Sequence, residues 1–266
     1  MKRYFEAERE ELIEWSEQLY ESNQTNLQEI REKFDPSNEF HKYFFGIISR
    51  QIHLLADMNC LLKYNFHHFY SGIFIIGRSL LDDYIQLFYV MESENKNKTI
   101  VEINGDAHGK SMKKIQELLE INKTVFNEAF PYYPTTASLE KLKESLLAQP
   151  EKAKYIKDKS KWKFLRFPSK AELVRSFAGK PANADLARIY FLWRYFSDYI
   201  HYSKFTYDYE NQHHEDKSVI NFTKEIIIYT YKSSKLACSY FEKELDFSFK
   251  PIKFFDEMDI EFLTHI

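Results

Sequence analysis

Apolar residues recur at helical spacing along most of this chain. Phe5, Leu12, Trp15, Leu19 and Leu27 mark a helix over residues 2–33 whose glutamates form a solvated face. Phe40, Phe44, Ile47, Ile48, Leu54 and Leu61 mark a second over about 36–64, for which Asp35-Pro36 offers an N-cap followed by proline at the first helical position. Ile73, Ile76, Leu80, Leu87 and Val90 give a third over about 67–93. Residues 94–110, with Glu, Asn, Lys and two glycines, predict a loop. The period returns over 111–129 through Met112, Ile115, Leu118, Leu119 and Phe126. Pro131, Tyr133 and Pro134 predict a rigid connection. Ser138 then caps a helix over 139–148, which Pro150 ends. Ser169 and Glu172 form an S-x-x-E box opening a short helix to about 178, ended by Gly179 and Pro181. Long helices follow over 183–203 and 217–245, and the tail from Pro251 ends in a short amphipathic piece.

These elements predict an all-α fold: one helical bundle of four or more long helices. The core pairs residues 36–93 with 183–245, residues 1–35 form a peripheral helix, and residues 94–182 form an insertion. Six Gly and seven Pro in 266 residues argue against a many-stranded fold. A net charge of −3 carries no global signature of nucleic-acid binding. Cys60 and Cys238 sit in apolar patterns and read as reduced core residues. No apolar run reaches the ~18 residues of a membrane span, and Met1–Glu11 is too charged for a signal peptide, so a cytoplasmic protein without membrane contact is expected.

The densest mixture of bulky and polar residues is Tyr190–Ser203. Arg194 and His201 are seven apart, about two turns at ~3.6 residues each, with Ser197 between. The spacing predicts one face carrying a cation, a hydroxyl and a proton carrier, a set that binds phosphate and moves a proton near neutral pH. Arg78 and Asp82 stand mid-helix among Ile75, Ile76, Leu80 and Leu81. Either they pair with each other on the surface, or Arg78 points at the polar row of the later helix; a buried Arg needs a partner. The bland alternative for the row is a structural network, with Arg194 paired to Asp198 or Asp82. Lys157, Lys159, Lys161, Lys163 and Arg166 interleave with Trp162 and Phe164, a pattern that holds phosphates while stacking bases; the alternative is a solvated segment anchored by its aromatics. Residues 104–111, N-G-D-A-H-G-K-S, fall one glycine short of a phosphate-binding loop, sit among helical hairpins instead of in a βαβ unit, and have no hydrophobic strand ending in Asp downstream. His53 with Asp57 lacks partners at ligand spacing, and His213-His214-Glu215-Asp216 is a weak candidate site in a loop whose histidines read as solvated, so neither a metal nor another cofactor is expected.

R-Y-F-S-D-Y-I-H, Arg194–His201, resembles the R-x(4–6)-H pattern of the HEPN superfamily, with Tyr195 where active members often carry a polar residue. The resemblance implies a helical bundle, a homodimer with a composite cleft, and metal-independent ribonuclease activity of the kind found in toxin–antitoxin and phage-defence systems. It implies that Arg194 stabilises phosphoryl charge and that His201 is the acid/base. A wider pattern covers roughly residues 40–245: Arg78-Ser79-Leu80-Leu81-Asp82, then Trp162, Pro168-Ser169, Gly179, Tyr190, Ser197, His201 and Ser203. It is similar to a family of bacterial helical proteins with R-S-L-x-[ED] and Y-x(6)-S-x(3)-H helices, which implies a fold and a recurrent polar set but no reaction. The expected catalytic residues are thus Arg194, His201 and Ser197. Arg78, Asp82, Asp198 and Tyr190 orient them, and the basic run 157–166 grips RNA. The other reading is a non-catalytic module whose polar pocket holds a small anion or nucleotide.

Overall fold

The computed structural model describes residues 2–64, 66–179, 183–199 and 216–257. The fold is all-α. The described helices are α1 (Lys2–Lys33), α2 (Glu39–Tyr64), α3 (Phe66–Glu92), α4 (Lys96–Phe126), α5 (Thr136–Ala148), α6 (Pro150–Ala153), α7 (Lys170–Ser176), α8 (Asn183–Ser197), α9 (Asp216–Glu244) and α10 (Lys253–Glu257). A two-stranded antiparallel hairpin, β1 (Ile156–Asp158) and β2 (Lys163–Phe164), lies between α6 and α7. The chain divides into two compact units, residues 1–92 with 170–266, and residues 93–169.

In the larger unit, α3 packs on α2, α8 and α9, and α1 packs on α2 and α9. Aromatic stacking fixes the layers: Phe44 lies on Tyr240 with centroids 4.2 Å apart, and Phe74 on Phe196 at 4.6 Å. α3 and α9 approach closely because Gly77 has no side chain; a Cβ there would collide with Ile226. α1 is a full layer of this core, which differs from the peripheral place predicted for it. Leu12, Leu19 and Ile30 are completely enclosed, and so are Ser16, Asn23 and Asn26. Its inner face mixes aliphatics with small amides and hydroxyls, so its mean hydropathy understates its burial. Asn23 Nδ2 donates to Ser234 Oγ at 2.9 Å, and Gln51 Nε2 donates to Ser233 Oγ at 2.7 Å, tying α1 and α2 to α9 through buried hydrogen bonds. The N-cap of α2 is Asn38, whose Oδ1 accepts from the Phe40 N–H at 2.9 Å; Asp35 instead closes a turn onto Ser37.

The smaller unit is built on α4, which covers the loop predicted for 94–110. Asn95 caps it by accepting from the Lys98 N–H at 2.9 Å, so the helix starts before the glycines. Gly105 and Gly109, four apart, fall on one face. They are not breakers: the hairpin lies against them. A Cβ on Gly105 would sit 2.7 Å from Leu165 Cβ, and one on Gly109 3.1 Å from Phe164 Cβ. The near-match to a phosphate-binding loop is therefore mid-helix, where its N–H groups bond the preceding turn. α4 ends at Asn127 in the left-handed region, φ 52°. Asn122, fully buried, accepts from the Phe130 N–H and donates to the Pro134 carbonyl, both at 3.1 Å, and so shapes the connection to α5. Thr135 and Ser138 cap α5 reciprocally. Met112, Leu119, Leu139 and Leu146 form this unit's own core, with Trp162 and Phe164 packed against it.

Candidate functional site

The α3–α8 contact brings together Arg78, Ser197 and Tyr190 of the predicted pocket. Arg78 does not turn to Asp82. Its Nε donates to Ser197 Oγ at 2.8 Å, and its guanidinium lies 4.8 Å from the centroid of Trp193. The Ser197 hydroxyl donates to the Trp193 carbonyl at 2.7 Å. Trp193 and Ser197 are one turn apart, so a single Arg reaches both. Tyr190 stacks on Trp193 at 5.8 Å and extends the aromatic wall. The one proton of Ser197 is committed to a carbonyl and a lone pair to Arg78. In this arrangement Ser197 positions its neighbours and has no proton to offer a substrate. Asp82 takes Lys170 from the start of α7 at 3.2 Å.

Arg194 lies on the adjoining face. A three-residue step turns the helix by about 300°, leaving about 60° between the two side chains. That places Ser197 at the interhelical contact and leaves Arg194 exposed, with no ion pair or hydrogen bond to a described residue. Asp198 is exposed in the turn that follows. α8 ends at Ser197, short of the predicted 203, with the Asp198 N–H reaching back three residues to the Tyr195 carbonyl at 3.3 Å. His201, Ser203 and the polar run His213–Asp216 as a potential ligand set lie outside the described residues, Asp216 being described only as the first residue of α9.

Ionic contacts at two places nearby escaped the sequence reading. Arg188 on α8 makes a bidentate pair with Glu225 on α9, Nε to Oε2 at 2.8 Å and Nη2 to Oε1 at 2.6 Å. Glu225 is fully enclosed. Lys232 and Asp185 join the same two helices at 3.0 Å. The cue was present: Glu225 immediately precedes Ile226-Ile227-Ile228, where a carboxylate has no access to water. The second is Arg50 on α2 with Asp83 on α3 at 2.6 Å. Asp83 is 6% exposed. Burial pushes its carboxyl up to about 7, the Arg50 charge opposes this, Asp82 adds to it, and Lys170 again opposes it. Tyr43 of α2 lies near the same carboxylates, and its ionisation is driven far above the usual phenol range, first by burial.

The basic run occupies the hairpin of the smaller unit. Lys157, Lys159, Lys161, Lys163 and Arg166 are exposed. Trp162 and Phe164 are not presented for stacking; both pack into the core cluster, and Lys143 lies 5.5 Å from the Trp162 centroid. Asp158 accepts from the Ser160 N–H and hydroxyl and the Lys161 N–H, which closes the turn and lowers its carboxyl pKa.

Among the described residues no group of three or more His, Cys, Asp and Glu is placed to hold a metal. None of their helices is long and apolar enough to cross a membrane. Comparison with curated proteins and with solved structures returned no match. A family model described as berberine and berberine like matches residues 3–42, a stretch too short to show a family. A model described as a family of unknown function, DUF5677, matches residues 41–218, two thirds of the chain, running from α2 to the start of α9 and including Arg78, Arg194 and Ser197. The chain belongs to that family of unknown function, DUF5677.

Proposed function

We propose that the protein is a HEPN-like RNA-binding effector that cleaves RNA without a metal, with Arg194 as the phosphate-contacting cation and His201 as the acid/base. The observation that carries this reading is the state of Arg194: exposed, without a partner among the described residues, and one turn from a serine held in place by Arg78. An unpaired guanidinium on a helix of fixed rotation suits bidentate contact with a phosphodiester. In the reaction the 2′-hydroxyl attacks the adjacent phosphorus, the bond to the 5′-oxygen breaks, and the products are a 2′,3′-cyclic phosphate and a 5′-hydroxyl. Arg194 stabilises the charge gathering on the non-bridging oxygens. His201 takes the 2′-hydroxyl proton or delivers one to the leaving oxygen. The second copy of a homodimer supplies the other role.

The test is cleavage of a fluorescent RNA in excess chelator by wild type, Arg194→Ala and His201→Ala. Loss of ~10²-fold or more in both variants is expected. Equal cleavage by all three, or none by any, ends the catalytic reading. A second reading, a non-catalytic module for a small anion or nucleotide, draws on a different observation. Arg78, Ser197, Asp82 and Lys170 satisfy one another without any ligand. In that case RNA is left intact, and Arg194→Ala weakens phosphate binding alone.

A further inference from the structure

The stretch 152–166 holds seven cations and one aspartate in a chain whose net charge is −3. Lys157, Lys159, Lys161 and Lys163 are all exposed, and none has a carboxylate at ion-pair distance among the described residues. The acids that could neutralise them are engaged elsewhere. Asp158 is turned into its own loop by three hydrogen bonds, Glu102 faces Lys98 at 3.8 Å, and Asp106 faces Lys110 at 2.6 Å. Lys157, Lys159, Lys163 and Arg166 line an open cleft of about 860 Å³ along the hairpin, with Asp158 and Glu102 also on its wall, so cations outnumber acids there four to two. His108 stacks on Tyr155, and its pKa is lowered first by burial and then by the Lys152 charge.

The backbone is packed against α4 where the charges are carried. Gly105 and Gly109 let the hairpin sit down on α4, and Trp162, at φ 49°, turns its ring inward to the core cluster. The aromatics that would read bases are thus used as anchors. What remains on the outside is a row of ammonium groups, which are point charges without a directional fork.

We infer that this hairpin is a clamp for the phosphodiester backbone of a nucleic acid, gripping phosphates and ignoring the bases. The inference rests on the RNA-binding reading above for its ligand, and it deepens that reading by assigning affinity to the hairpin. Binding to single strands by phosphate neutralisation follows salt with a slope of about −0.7 per contact. Four lysines then account for a slope near −2.8, a loss of about fifty-fold in affinity between 50 and 200 mM salt.

The experiment is fluorescence anisotropy on the full chain with labelled 20-mers of deoxythymidine and deoxyadenosine, which lack the 2′-hydroxyl and resist cleavage, and with uridine RNA. Wild type is compared with Lys157→Gln/Lys159→Gln/Lys161→Gln/Lys163→Gln and with Trp162→Phe, all three checked for folding by circular dichroism. The expected result is that the lysine variant loses about three units of salt slope on every strand, that the two bases bind alike, and that Trp162→Phe changes nothing. An unchanged slope, a base preference that Trp162→Phe abolishes, or equal displacement by polyglutamate of matched charge overturns the clamp. Loss of slope without any RNA cleavage keeps the clamp and removes only the nuclease. Cleavage with an unaltered slope does the reverse.

Discussion

Asp83 makes stability depend on pH in an unusual direction. Its carboxyl is raised from 3.8 to about 7, about three units, because it is buried on α3 and the charges of Arg50, at 2.6 Å, and of Lys170 offset only part of that burial. At roughly 1.4 kcal/mol per unit, the ceiling is ~4 kcal/mol. The sign follows from proton counting. Between about pH 4 and 7 the native chain keeps this proton and the unfolded chain has released it, so native binds more protons and stability falls as pH rises. The contribution is complete below the unfolded value and gone above about 7. Asp35, Glu128, Asp158 and Asp256 are lowered by their hydrogen bonds, so they act in the opposite sense and only near or below the ordinary carboxylate range. Asp83→Asn removes the titration while keeping an acceptor for Arg50. Urea denaturation at pH 4.5, 5.5, 6.5 and 7.5 gives the comparison. The stability of wild type minus that of Asp83→Asn should fall by about 3 kcal/mol across this range. A difference constant within ~0.5 kcal/mol, well below one pKa unit's worth, would refute the reasoning. It would mean that the Arg50 charge holds Asp83 ionised throughout.

Glu225→Ala leaves Arg188 without its bidentate partner and should cost about 3–5 kcal/mol, while Arg188→Met with Glu225→Leu recovers most of it; chemical denaturation of the three chains decides. Gly105→Ala should push the hairpin off α4 at about 1–3 kcal/mol and speed amide exchange over residues 155–166. Gly46→Ala, where a Cβ meets nothing within 4 Å, should instead raise stability by about 0.5–1 kcal/mol. Asn122→Ala removes the groups that hold the Phe130 N–H and the Pro134 carbonyl and should cost about 1–3 kcal/mol, read as a lower melting point.

Helical periodicity alone located α2, α3, α9 and most of α8, because each carries a continuous aliphatic stripe. It failed where helix-breaking composition had a packing reason. Gly105 and Gly109 read as a loop because nothing local reveals that a hairpin needs room there. α1 read as peripheral because Ser16, Asn23 and Asn26 look like solvated residues until the packing that encloses all three, and the Ser234 partner of Asn23, are known. The choice of Arg78 between Asp82 and α8 was open in sequence, since helical spacing permits the first and only tertiary packing supplies Ser197 and Trp193. Arg188 with Glu225 went unseen for a related reason: the partners are 37 residues apart, with no local spacing to betray them. The basic run was visible as charge, but the inward turn of Trp162 depends on a positive φ that composition does not announce.

The enclosed layer formed by α1 bears on how fragments of this chain behave. The family match spans 41–218, and trimming to those borders deletes every turn of α1 and nearly all of α9. Leu12, Leu19 and Ile30 would leave with the one helix, and Ile220, Ile227 and Phe241 with the other, each now wholly shielded. The remaining α2, α3 and α8 would turn the apolar faces that met those helices to water and clump in solution. The recognisable stretch and the foldable object are different segments of this polypeptide, and recombinant work needs the second.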